Sequence, residues 1–121
     1  MTMVDSKYVV LTEKNFKSQV LDSTRPVLVD FWADWCGPCH MIAQVIEMST
    51  AEFEGQIRVG KVDFDGNSQV AQRYAIRSLP TLLLFKDGNV LDRIIGALPK
   101  PKIAAKLNAL LQLERAKGGL L

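Results

Sequence analysis

Only two cysteines and one histidine occur in this 121-residue chain. A zinc centre, which takes four ligands and usually draws them from two CxxC-like pairs, is poorly served by so few. Two cysteines also exclude a disulfide-stapled secreted module. Charge of one sign is lacking too: 15 Lys and Arg stand against 13 Asp and Glu, a formal net charge of +2. The basic residues are scattered, so the dense basic patch with interleaved aromatics that marks a nucleic-acid binder is missing. No apolar run approaches the length of a membrane span. The start, Met1-Thr2-Met3-Val4-Asp5-Ser6-Lys7, has neither an apolar signal core nor Arg-rich amphipathic character. These absences point to a cytoplasmic chain with no nucleic-acid or membrane partner. A mature organellar form would read the same. There is no internal repeat, no low-complexity segment, no sign of a cofactor and no persuasive sign of an oligomer, so a monomer is expected.

What is present is ordinary for a globular protein: 48% hydrophobic and 23% charged residues. The length suits one domain over residues 1–121, with a core at about 8–113 and a loose C-terminal tail at 114–121. Short strands alternate with longer helices. Tyr8–Leu11 reads as a strand, and Thr12 as the N-cap of a helix running to about Val20. Val27–Trp32 is apolar on both alternating faces, the pattern of a central strand covered on both sides. A connection over Ala33–Pro38 leads to a helix towards Phe53, with Gly55 as its stop. Ile57–Asp63 reads as a strand and Gln69–Tyr74 as a short helix capped by Asn67 or Ser68. Thr81–Lys86 and Asn89–Ile95 are strands joined by Asp87-Gly88, a strong hairpin signal that makes them antiparallel. The last helix starts near Pro101, turns Ile103, Leu107, Leu110 and Leu111 inward, and ends at Gly118-Gly119. Its basic residues Lys100, Lys102, Lys106, Arg115 and Lys117 read as a solvated face. The order β-α-β-α-β-α-β-β-α predicts an α/β fold: a parallel sheet with helices on both faces, made mixed by the terminal hairpin.

Both cysteines fall in Cys36-Gly37-Pro38-Cys39, just after a strand and at the mouth of a helix. The unpaired N–H groups and positive dipole end of a first helical turn favour a thiolate. Cys36 is therefore the expected nucleophile, with a lowered pKa. Pro38 suits a first turn, which asks no backbone donor of it. The two-residue spacer lets Cys39 close a small ring with Cys36. Disulfide exchange follows: Cys36 forms a mixed disulfide with a target, and Cys39 resolves it. Cys36-x-x-Cys39-His40 also matches the c-type haem attachment motif formally. Its α/β setting, Pro38 between the cysteines and the lack of a surrounding helical bundle speak against haem, which stays a minor alternative. Inert core cysteines are a third reading, disfavoured by adjacent Trp, Gly and Pro.

Asp30 is an anomaly in an apolar strand. Burial there raises a carboxyl pKa. Such a group is placed to take the Cys39 proton when the mixed disulfide resolves, with Lys61 on the neighbouring strand as the nearby cation; the alternative is a carboxylate at a solvent edge or one that only answers a cation. Trp32 is expected in the core, and Trp35 at the flank of the site. Pro80, in Ser78-Leu79-Pro80, opens a strand, in either peptide isomer.

At these residues the sequence resembles the thioredoxin family. Trp35-Cys36-Gly37-Pro38-Cys39 is similar to that family's active-site signature, and the likeness runs over roughly residues 8 to 113. Val29-Asp30-Phe31-Trp32-Ala33, Lys61 with Asp63, Leu79-Pro80-Thr81, Phe85-Lys86-Asp87-Gly88 and Gly96 all fit. The resemblance implies a central five-stranded mixed sheet with four helices. It implies a protein-disulfide reductase in which Cys36 attacks, Cys39 resolves, and Asp30 assists with Lys61. It implies a cis-proline at Pro80 and a substrate groove of Trp35, Gly37, Pro38, Phe64, Ser78, Leu79, Pro80, Gly96 and Ala97, where the backbone before that proline pairs with an extended target strand. The implied partners are disulfide-containing target proteins and a reductase dependent on NADPH or ferredoxin. The Gly-Pro spacer resembles the reducing members. Two positions depart from the family pattern. Gln44 stands where a proline is frequent, which predicts a less kinked helix. His40 stands where Lys or Arg is common; it is either a solvated histidine without effect or a group that makes the site more pH-dependent near neutrality. A binding module using the same surface without redox chemistry is the other class of function. A Cys36→Ser, Cys39→Ser double variant separates the two.

Overall fold

The computed structural model describes residues 8–119, so the expectations for 1–7 and 120–121 lie outside the described residues. Strands β1 (Val9–Leu11), β2 (Val27–Trp32), β3 (Arg58–Asp63), β4 (Thr81–Lys86) and β5 (Asn89–Ile95) form one sheet in the order β1-β3-β2-β4-β5. β3 pairs in parallel with both β1 and β2, while β4 pairs antiparallel with β2 and with β5. Helices α1 (Gly37–Glu52), α2 (Ser68–Arg73) and α3 (Lys100–Gly119), together with a π-helical turn at Lys17–Leu21, complete the expected four helices.

β2 is central because it is apolar on both sides. Leu28 faces α1 and α3 together with Ile42, Ile46, Leu82, Leu84, Ile103 and Leu107. Val27, Val29 and Phe31 face the other layer with Phe16, Val20, Val70, Leu83 and Phe85. Strand alternation then puts Asp30 on the Leu28 side, under α1. The parallel register sets Asp30 opposite Lys61, so both side chains share that face.

Turn chemistry explains the joints. Asp87 and Gly88 both have positive φ, 53° and 80°, as a two-residue type I′ hairpin requires. Leu84 pairs with Asp92 and Phe85 with Val90, so Leu91 is an extra residue that bulges β5. Gly60 allows β1 to close on β3, because a Cβ there would overlap the side chain of Leu11.

Three elements differ from the sequence reading. The segment after Thr12 is not one helix: turns over 13–15 lead into the π turn, marked by an i→i−5 bond from Asp22 N to Lys17 O of 2.8 Å. Residues 114–119 are not a loose tail, because α3 continues through Gly119. Its extension is anchored by Glu114, 3.1 Å from the Lys86 ammonium. Trp32 is half-buried at the edge of the cysteine pair and not in either large core.

Candidate active site

β2 delivers the chain through Ala33 to Cys36, which is the N-cap of α1 with extended backbone (φ −91°, ψ 105°). Cys36 and Cys39 are joined as a disulfide. The Cys39 amide donates to Cys36 Sγ at 3.1 Å. Sulfur thus occupies the place where a Ser or Asp oxygen normally caps a helix. Pro38 sits in the first turn, where a donor is not needed. Both cysteines are 4% exposed, so burial does not distinguish them; the Cys39 amide does, because it donates to the Cys36 sulfur. Ala33 is buried with the pair, and Trp32, Phe64 and Leu79 pack against it.

Asp30 is 1% exposed, and its Oδ1 has no protein hydrogen-bond partner. Burial raises its pKa from 3.8 to about 7, against the opposing pull of the Lys61 cation. The Lys61 ammonium lies 5.1 Å from the Tyr8 ring centre and 5.3 Å from that of Trp32. It lines a cavity of about 320 Å³ with Tyr8, Trp32, Asp63 and Asn67.

The expected groove residues divide. Leu79 and Phe64 pack against the buried cluster of Ala33, Cys36 and Cys39. Trp35 is 67% exposed, its indole N–H donating to Asp65 Oδ2 at 2.8 Å. The Leu79-Pro80 peptide is cis, and the Gly96 amide, at φ 95°, holds the Pro80 carbonyl at 2.9 Å. Gly37 and Pro38 are exposed in the first turn of α1. Ser78 and Ala97 enter only as exposed chain neighbours; Ser78 offers its carbonyl to Thr81 Oγ1 at 2.6 Å. His40 Nε2 lies 2.7 Å from the Asp34 carbonyl, which only accepts, so that nitrogen carries the proton. This bond ties α1 back to the connection before Cys36. Gln44 is exposed on an unbroken α1.

Sequence reading missed Asp65 as the partner of Trp35. It also missed a reciprocal cap at α2: Asn67 Oδ1 accepts from Glu13 N at 3.0 Å, and Glu13 Oε2 accepts from Gln69 N at 2.6 Å. This is a capping box divided between two distant segments. It steadies the loop that carries Phe64 and Asp65.

The family model described as Thioredoxin matches residues 7–109. A thioredoxin of Chlorobaculum thiosulfatiphilum is 49% identical over 102 residues, covering 84% of this chain and 94% of that one. Thioredoxin 1 of Nostoc sp. is 52% identical over 97 residues, 80% of this chain and 91% of its own. Thioredoxin M5, chloroplastic, of Oryza sativa subsp. japonica is 50% identical over 101 residues, 84% of this chain and 59% of that protein. No helix among the described residues is long and apolar enough to cross a membrane. A bridged cysteine pair at a helix mouth and this breadth of likeness lead to one conclusion: the chain belongs to the thioredoxin family and is a thiol–disulfide oxidoreductase that reduces protein disulfides.

Proposed function

We propose that Cys36 is the attacking sulfur, Cys39 the resolving one, and Asp30 the proton acceptor that lets resolution proceed. The observation that carries this is the Cys36 sulfur seated as the cap of α1, with a buried carboxylate on the face beneath that helix. In the reduced protein, the Cys36 thiolate attacks one sulfur of a target disulfide. The target S–S bond breaks, its other sulfur leaves as a thiolate, and a mixed disulfide joins target and Cys36. Asp30 takes the Cys39 proton, with Lys61 moderating its charge. The Cys39 thiolate then attacks Cys36 Sγ, the mixed disulfide breaks, and the target's second sulfur leaves reduced. Two electrons have passed to the target, and Cys36–Cys39 is the bridged form seen here.

Trp35, Gly37, Pro38, Phe64, Ser78, Leu79, Pro80, Gly96 and Ala97 form the surface that receives the target. The backbone at Leu79 pairs with an extended target segment, which gives affinity with little dependence on side chains. Residues 1–121 act as one domain and as a monomer, in the cytoplasm, with no cofactor of their own. A thioredoxin reductase, dependent on NADPH or on ferredoxin, returns the dithiol form. Insulin-disulfide reduction, coupled in turn to each reductase type, tests the reading. Turnover with one reductase is expected, and loss of turnover in Cys36→Ser. Absence of insulin reduction even with chemically reduced protein would overturn it.

A further inference from the structure

β5 is an edge strand, and its register sets Val90, Arg93 and Ile95 opposite Phe85, Leu83 and Thr81. Phe85 and Leu83 are buried with α2 residues, but Val90, Arg93 and Ile95 on the same side of the sheet are exposed. Arg93 Nη2 donates to the Tyr74 carbonyl at 2.8 Å. The Arg73 guanidinium lies 5.6 Å from the centre of the Tyr74 ring. Two guanidiniums therefore converge on Tyr74. Arg77, exposed, follows in the same loop and directly precedes Ser78-Leu79-Pro80. Ile95 directly precedes Gly96, whose amide holds Pro80. Along the chain, the segment bearing Arg73 and Arg77 thus runs directly into Leu79 and Pro80, that bearing Arg93 runs into Gly96, and Leu79 packs against the cysteine cluster.

Charge on this surface is open. Lys17, Lys86, Lys100 and Lys106 each have a carboxylate within ion-pair distance. Among the described residues Arg73, Arg77 and Arg93 have none, as is also true of Lys14, Arg25, Arg58, Lys61, Lys102 and Arg115; what distinguishes the three is that they gather around Tyr74 and the chain leading to Pro80. The exposed acids of the site sit with Trp35 instead: Asp34 beside it in the chain, and Asp65 accepting from its indole.

We propose that Arg73, Arg77 and Arg93 form a selectivity surface that receives acidic residues flanking the disulfide of a target protein. The proposal rests on the reductase reading and specifies which targets reach the sulfurs. Guanidinium forks suit carboxylates, and an arginine cluster is a recurring receiver of acidic motifs. Each exposed pair contributes little alone, so the effect comes from several charges acting together on encounter. It acts on association and weakens with salt.

The test uses the full chain, chemically reduced, in single-turnover reactions that need no reductase. The probes are two peptides with the same intramolecular disulfide, one flanked by glutamates and one by glutamines. At low salt, about 20 mM, the acidic peptide is expected to react roughly fivefold faster, and at about 0.5 M salt the ratio falls towards one. Arg77→Gln, at a position whose side chain makes no hydrogen bond or ion pair among the described residues, lowers the low-salt ratio, and Arg73→Gln with Arg77→Gln and Arg93→Gln abolishes it. The salt series on the unaltered protein stands even where the triple variant fails to fold. Equal rates for both peptides at low salt, or a ratio unmoved by Arg77→Gln and by salt, would overturn the arginine proposal and leave the reductase reading intact. Reduction of neither peptide would overturn both.

Discussion

Replacing Asp30 by asparagine should make the protein more stable above neutrality while making it a poorer reductase. Asp30 has its pKa raised from 3.8 to about 7, with desolvation as the leading cause and Lys61 opposing it. A difference of about three units corresponds to about 4 kcal/mol, at 1.36 kcal/mol per unit. The sign follows from proton linkage. Below about pH 4 the folded and unfolded chains both hold the proton, and burial of the neutral carboxyl adds no pH-dependent cost. Between about pH 4 and 7 the unfolded chain releases the proton first, so stability declines as pH rises, and it levels off once the folded group has also ionised. An asparagine side chain never ionises, so the variant lacks that decline. The amide carries its own constant cost, because the site offers Oδ1 no protein partner, so the informative quantity is the change of the difference with pH. Guanidinium unfolding of the oxidised forms, followed by tryptophan fluorescence from pH 4 to 9, is expected to show the variant gaining about 4 kcal/mol on the parent across that range. Turnover on insulin should fall by about tenfold or more, because a positioned proton acceptor is lost. A stability difference that stays constant with pH would refute the burial argument, and unchanged turnover would refute the catalytic one.

Cys39→Ser should trap the mixed disulfide, so that a target peptide remains covalently attached through Cys36 until dithiothreitol is added; mass spectrometry reads the adduct. Gly60→Ala should cost about 1–3 kcal/mol, because its methyl group overlaps Leu11 where β1 closes on β3, and a lowered denaturation midpoint in the oxidised protein checks it. Ala75→Gly should raise stability by about 0.5–1 kcal/mol, since Ala75 holds φ at 54°, a conformation glycine adopts without a Cβ penalty. Glu13→Ala should lower stability by about 1 kcal/mol through loss of the cap on Gln69 N, measured by the same unfolding assay.

What the chain revealed in advance was local. A run of apolar residues marks β2 because each of its neighbours along the strand is buried, and Asp87-Gly88 marks the hairpin because only a few residue types reach positive φ cheaply. Cys36 and Cys39 were legible for the same reason: a helix N-terminus, a proline and two sulfurs lie within four consecutive residues. Asp30 stood out as the one charge in that strand, and its burial follows from its apolar neighbours. The groove residues away from the motif came from family resemblance, since nothing near Phe64 or Gly96 in the chain announces a site.

The features that escaped reading depend on segments meeting in space. α2 ends in a turn where Ile76 N returns to Ala71 O at 2.9 Å and Ala75 N to Gln72 O at 3.0 Å, the bond pattern that glycine usually signals. Here alanine fills the left-handed position, so the usual marker is missing although the geometry is present. The cap at the other end of α2 is likewise hidden. Asn67 spends its side-chain carbonyl on Glu13 N and its amide on the Asp63 carbonyl, and the α2 donor is answered by Glu13 from the far side of the chain. Asp65 meets Trp35 by the same logic, across thirty residues of sequence. These contacts converge on one loop, residues 63–67, which links the capped helix to the indole of the residue before Cys36. The chemistry at the sulfurs was therefore readable from consecutive residues, whereas the scaffold that holds Trp35 and Phe64 around them required long-range pairings that no local pattern encodes.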